Sequence, residues 1–137
     1  MKVLVATDGS EHSMKAVQRG LELAEREGAE ITLMAVALYS REDLDEMPPG
    51  IQERLETQAA NALRKSKALF DEKGIKVEAI LTASYVPANS IIKKAEEGKF
   101  DRILMGSKGI SGIERLLIGS TAAKVVANAP CTVTVIR

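Results

Sequence analysis

Residues 105–121, MGSKGISGIERLLIGST, hold glycines at 106, 109, 112 and 119 in a stretch with no aromatic residue and a single acid, Glu114. Glycine collects where a backbone must take positive φ or come close to something, and hydroxyls beside it suit an oxyanion. The spacing is Gly106, two residues, Gly109, nine residues, then Gly119-Ser120 opening a helix. Gly106 and Gly109 allow backbone amides to turn inward. Gly119 and Ser120 present the positive end of a helix and a hydroxyl donor, so two amide clusters can grip a polyphosphate from two sides. Lys108 can add a cation. A long connection that merely turns is the plainer alternative. No Gly-x-x-x-x-Gly-Lys-Ser/Thr occurs, which excludes a Walker-type loop, and no Gly-x-Gly-x-x-Gly follows the first strand.

A loop of this kind needs a scaffold, and apolar runs alternate with helical patterns along the chain. VLVAT (3–7) reads as a buried strand ending in the turn signal DGS. From Ser10 to about Arg26, Met14, Val17, Leu21 and Ala24 fall at helical spacing, and Gly28 is placed to cap. ITLMAVAL (31–38) is a second strand without alternation, as expected when both faces are covered. YSREDLDEMPPG (39–50) reads as a long polar surface loop. Ile51, Leu55, Ala59, Leu63 and Leu69 mark a second helix closed by Gly74, and KVEAILTA (76–83) a third strand. Pro87 opens a helix that Gly98 closes. RILMG (102–106) is strand four. A helix from about Ser120 stops at Pro130, and CTVTVIR (131–137) is strand five. Strand-helix alternation implies parallel strands, right-handed crossovers and helices on both faces. Ligands of such sheets lie at the carboxyl ends of the strands, where strand order reverses. Both ATDGS (6–10) and the glycine loop fall at those ends.

Composition narrows the function classes. The 137 residues suit one domain, 45% are apolar and 28% charged, and with two Tyr, two Phe and no Trp the core is aliphatic. Lys plus Arg equal Asp plus Glu at 19 each, so no net field draws nucleic acid or an anionic membrane. The first apolar run is too short for a signal peptide or a span. One cysteine, Cys131, cannot form an internal disulfide, and the reducing cytosol is the expected compartment.

The glycine spacing, the opening VLVATDGSEHS and the closing NAPCTVTVIR together resemble the ATP-binding members of the universal stress protein family, and the resemblance covers residues 1–137. It implies a single-domain α/β three-layer sandwich, its five-stranded parallel sheet in order 3-2-1-4-5 with helices on both faces. It also implies bound ATP or AMP, and a homodimer. Carried onto this sequence, Asp8 would touch the ribose, and Ala6 and Thr7 would line the adenine pocket with backbone. Val36 would read the adenine edge through its own N–H and C=O. Met105, Gly106, Gly109, Gly119, Ser120 and Thr121 would surround ribose and phosphates, with Mg²⁺ assisting. The chain departs from the pattern at ATDGS, where relatives often have PVDGS, and at Val86, where the family often places Gly.

Other roles compete for several of these residues. Asp8 also suits a turn or helix cap, and Ser120 an N-cap. His12, the only histidine, falls in the first turn of a surface helix, where solvation is the ordinary state. Cys131 reads as a buried thiol and Met34 and Met105 as core, since no Cys or His cluster accompanies them. Two function classes follow. One is a nucleotide-dependent regulator in which occupancy is the signal, with slow ATP hydrolysis at most. The other is an adenylyl- or phosphoryl-transfer enzyme, for which an obvious base or an arginine clamp is missing. The apolar strand TVTVI (132–136), at an open edge in the family's strand order, is the expected dimer contact.

Overall fold

A computed structural model describes residues 1–108 and 118–137 of the chain. Five strands, β1 (Lys2–Ala6), β2 (Glu30–Ala37), β3 (Glu78–Ala83), β4 (Arg102–Gly106) and β5 (Thr132–Ile136), form one parallel sheet in the order β3-β2-β1-β4-β5. The helices are α1 (Glu11–Glu27), α2 (Ile51–Asp71), α3 (Pro87–Glu97) and α4 (Ser120–Asn128).

Strands β1, β2 and β4 lack polar alternation because both of their faces are covered. Val3, Val5, Ile31, Leu33 and Leu104 pack with Val17, Leu21, Leu63 and Phe70 of α1 and α2. Leu4, Met34, Ile103 and Met105 pack on the other face with Ile91 of α3 and Val125 of α4. Period-two geometry sends successive residues of one strand into opposite cores. Each fully buried aliphatic side chain contributes about 1.5–3 kcal/mol over the same group left in water.

Chain order sets the crevice. From central β1 the chain moves outward through β2 and β3, then returns to β1's other side to add β4 and β5. The connections after β1 and β4 therefore diverge at the carboxyl end of the sheet.

Helix ends follow their local chemistry, with two departures. Ser10 caps α1, its side chain accepting from the Ser13 N–H, and Gly28 ends that helix at φ 66°. Gly98 closes α3 as expected, but it is right-handed at φ −86°, and the positive φ falls on Lys99, at 51°. Glycine is needed at 98 for space, since a Cβ there would stand 2.4 Å from the Phe100 ring. The segment 39–50, expected as a surface loop, contains a 3₁₀ helix (Arg41–Glu46), and Tyr39 at its start is buried. The Tyr39 hydroxyl donates to Glu56 on α2, which holds the segment against that helix.

Candidate functional site

A crevice of about 390 Å³ opens at the carboxyl ends of β1, β2 and β4. Ala6, Thr7, Asp8, Val36, Met105, Gly106, Lys108, Gly119, Ser120 and Thr121 all line it. Gly109 lies outside the described residues.

On the β1 side the wall is a tight turn. Asp8 Oδ1 accepts from the Ser10 N–H at 2.9 Å, and Ser10 in turn caps α1, so the turn role and a place on the crevice wall fall on the same aspartate. Beneath it, Thr7 Oγ1 lies 3.0 Å from Ser66 Oγ of α2 and 3.3 Å from Ser13 Oγ of α1. The Asp8 N–H donates to that Ser13 oxygen at 3.3 Å. Three hydroxyls thus join β1, α1 and α2 under the turn and fix its position from inside the protein. The Thr7 N–H is committed to the Met34 carbonyl at 2.9 Å, so it is a sheet bond rather than a ligand donor.

That bond also determines what β2 offers. In a parallel ladder both backbone groups of one residue point to the same neighbour, and the side alternates residue by residue. Met34 points to β1, Ala35 to β3 and Val36 to β1 again. By Val36, however, β1 has already turned away at Asp8, and β2 continues beside β3 alone, with Val36 opposite Thr82. The Val36 N–H and C=O therefore face the crevice, a donor-acceptor pair of the spacing that a planar base edge can meet.

The opposite wall is the start of α4. Its N-cap is Gly119, at φ −74° and ψ 165°, and no side chain among the described residues caps the first turn. Ser120 is accordingly the first helical residue and not the cap. The first bond back to the cap is Ala123 N–H to the Gly119 carbonyl, so the amides of residues 120–122 have no intrahelical acceptor. They carry the positive end of the helix. Neither flanking glycine owes its place to positive φ. A Cβ at 106 would lie 2.6 Å from the His12 carbonyl carbon and 2.7 Å from Ser13 N, so Gly106 lets α1 press against β4. A Cβ at 119 would lie 3.2 Å from the Ser107 carbonyl oxygen, which accepts the Gly119 N–H. Gly106 thus has a packing reason beside the amide role expected from its place in the loop.

Several lining residues escaped the sequence reading. Leu55, Gln58 and Ala59 arrive from α2, and Leu38 and Tyr85 from the ends of β2 and β3. Nothing local in α2 marks those positions. Ser107 stood in plain sight between Gly106 and Lys108. It is 2% exposed, and its hydroxyl has no hydrogen-bond partner among the described residues. A buried orphan hydroxyl costs about 1–3 kcal/mol, so it marks a place where a further acceptor or donor would be welcome. His12 is half-buried on the first turn of α1 and is not among the lining residues.

Charges away from the crevice behave as structural groups. The hydrogen bond from Tyr39 holds the Glu56 carboxyl below the usual range, and the same bond, with burial, holds the Tyr39 hydroxyl above its own. Cys131, expected to be buried, is half-buried, and burial, then the charge of Asp101, pushes its thiol up, toward the protonated form. Among the described residues no group of three or more His, Cys, Asp or Glu could hold a metal ion, and no helix is long and apolar enough to cross a membrane.

A crevice at the reversal point of a 3-2-1-4-5 sheet, walled by an Asp turn and a glycine-led helix, marks an open, doubly wound α/β protein. The model of the universal stress protein family matches residues 1–137. A universal stress protein of Methanocaldococcus jannaschii is 35% identical over 142 residues, covering 99% of this chain and 81% of the relative. The solved universal stress protein UspA from Lactobacillus plantarum shares the fold at TM-score 0.83 and 27% identity, covering 100% of this chain and 97% of its own. A family protein of Arabidopsis thaliana, solved with AMP bound, matches at TM-score 0.72 and 21% identity over 99% of this chain and 90% of its own, a likeness of fold. This chain belongs to the universal stress protein family.

Proposed function

We propose that the crevice binds an adenine nucleotide and that its occupancy, rather than rapid turnover, is what the protein signals. The observation that carries this reading is the pairing of two unlike walls across one crevice. The uncapped amides of α4 suit a phosphate, and the Val36 backbone pair suits the edge of a base. Asp8 stands between them, where a ribose hydroxyl would find an acceptor. The AMP-bound neighbour has the same fold and agrees with this reading. ATP with Mg²⁺ is the fuller form of the ligand. Mg²⁺ binds through one or two carboxylates plus phosphate oxygens, and Asp8 is the one carboxylate on the described wall.

Calorimetry with AMP, ATP, ATP plus Mg²⁺ and GMP tests the reading. Adenine nucleotides should bind at least roughly tenfold more tightly than GMP, because a site built on one donor-acceptor edge leaves groups unpaired against the other base. Equal binding of GMP would remove the role of Val36. Steady-state phosphate release should fall far below the typical enzyme rate of about 10 per second. Rapid release would move the protein to the adenylyl- or phosphoryl-transfer class.

The sheet edge suggests the assembly. β5, with the sequence TVTVI, is the outermost strand beside β4, and an apolar β-branched edge pairs readily with a second copy. Sedimentation at micromolar concentration should therefore give a homodimer of this 14.7 kDa chain, and a clean monomer would overturn the pairing. A cytosolic location fits a sequence with the single cysteine Cys131.

A further inference from the structure

We propose that Tyr85 is the shelf on which the ligand's base stacks, so that this side chain sets affinity for the base. The inference rests on the adenine-nucleotide reading of the crevice. Aromatic residues are scarce in this chain, with two Tyr, two Phe and no Trp. Phe70, Phe100 and Tyr39 are buried, whereas Tyr85 is 58% exposed. It lines the crevice together with Leu38, itself 50% exposed, and the adjoining Val86 is 39% exposed. Two of the large exposed apolar side chains, Leu38 and Tyr85, thus share one rim of the crevice.

Register places that rim over the base-reading end. Val36 lies opposite Thr82 and Ala37 opposite Ala83, and the Ser84 N–H bonds to the Ala37 carbonyl at 2.9 Å. Tyr85 therefore follows directly on the last tie between β2 and β3, just beyond the level of Val36. Its backbone is also held. Ser84 Oγ accepts from the Val86 N–H and donates to the Val86 carbonyl, each at 3.1 Å, which clamps the turn around Tyr85. Pro87 then fixes the entry to α3. A solvent-facing ring on a braced turn, over a crevice whose floor offers a donor-acceptor edge, has the geometry of a stacking platform. Every base has a π-face, so such a platform adds affinity without reading sequence or substituents. The edge contacts at Val36 would choose the base, and the ring would hold it.

The test uses the full chain, AMP as ligand, and calorimetry beside tyrosine emission. Tyr85→Ala should weaken AMP binding about tenfold, and Tyr85→Phe, which keeps the ring, should stay within about twofold of the parent. AMP should also change the emission of the parent protein, through Tyr85. In Tyr85→Phe, where buried Tyr39 is the remaining emitter, AMP should bind without that change. If Tyr85→Ala binds AMP as the parent does, the stacking role is wrong and the nucleotide reading stands. If Tyr85→Phe is as weak as Tyr85→Ala, the ring is not the contact. Failure of the parent to bind AMP at all would remove both readings.

Discussion

Gly106→Ala loses about 3 kcal/mol of stability, roughly 10 °C in Tm, although the substitution adds only a methyl group. The added Cβ would stand 2.6 Å from the His12 carbonyl carbon, 2.7 Å from Ser13 N and 2.8 Å from His12 Cβ. Two of those atoms are helix backbone and cannot swing aside as a side-chain tip would. Nor can α1 drift away as a body. Its first turn is tied by the Ser10 cap and by the Thr7, Ser13 and Ser66 hydroxyls, while Gly20 further along sits 3.0 Å, by its own virtual Cβ, from Val5. The strain falls on the β4–α1 contact, in a protein whose total stability is of order 5–15 kcal/mol. Urea unfolding measures it, and a midpoint equal to the parent's would show that the contact yields more easily than this geometry allows.

Ser120→Pro separates the helix terminus from the helix. Position 120 is the first residue of α4, where proline's missing N–H breaks no intrahelical bond and its fixed φ is already helical. The preceding Gly119 is extended, at φ −74° and ψ 165°, which a following proline accepts. The variant should fold within about 0.5 kcal/mol of the parent. It nevertheless lacks both the amide and the hydroxyl that face the crevice. Charge-assisted hydrogen bonds contribute about 1.5–3 kcal/mol each, so AMP affinity should fall about 100-fold, and about tenfold in Ser120→Ala, which keeps the amide. A folded Ser120→Pro protein that binds AMP like the parent would take the phosphate away from α4.

The strands, the helices and the two loops that meet at the crevice were legible because their signals are local. VLVAT and ITLMAVAL are apolar but for one threonine each, Ser10 and Gly28 bracket one helix, and Gly119-Ser120 opens another. What stayed hidden depends on partners far along the chain. Tyr39 sits in a polar run and is buried only because Glu56 receives its hydroxyl, 17 residues on. Thr7 meets Ser66 across 59 residues. Gly98 and Gly106 both look like residues of conformational freedom, yet each is there for space, against Phe100 and α1 respectively. Glycine spacing in a sequence states that something comes close, and does not state whether it is a ligand or the protein itself. Tyr85 was passed over because exposure of a ring beyond a strand end has no signature in residue order.

The return of the chain to the other side of β1 has a bearing on synthesis. Lys2 and Asp101 meet across 99 residues, and β1 finds its second neighbour only when β4 has been made. A ribosome that has released β1, α1, β2, α2 and β3 has produced three paired strands with β1, central in the finished sheet, at an open edge, a surface apt to pair with the wrong chain. Long-range parallel pairing is also slow to form. The amides of α4 arrive later still, so on the proposed reading the wall that would meet the base forms well before the wall that would meet the phosphate. Full nucleotide affinity would then coincide with completion of the sheet, and a ligand abundant in the cell would trap each molecule at the moment its last strands dock.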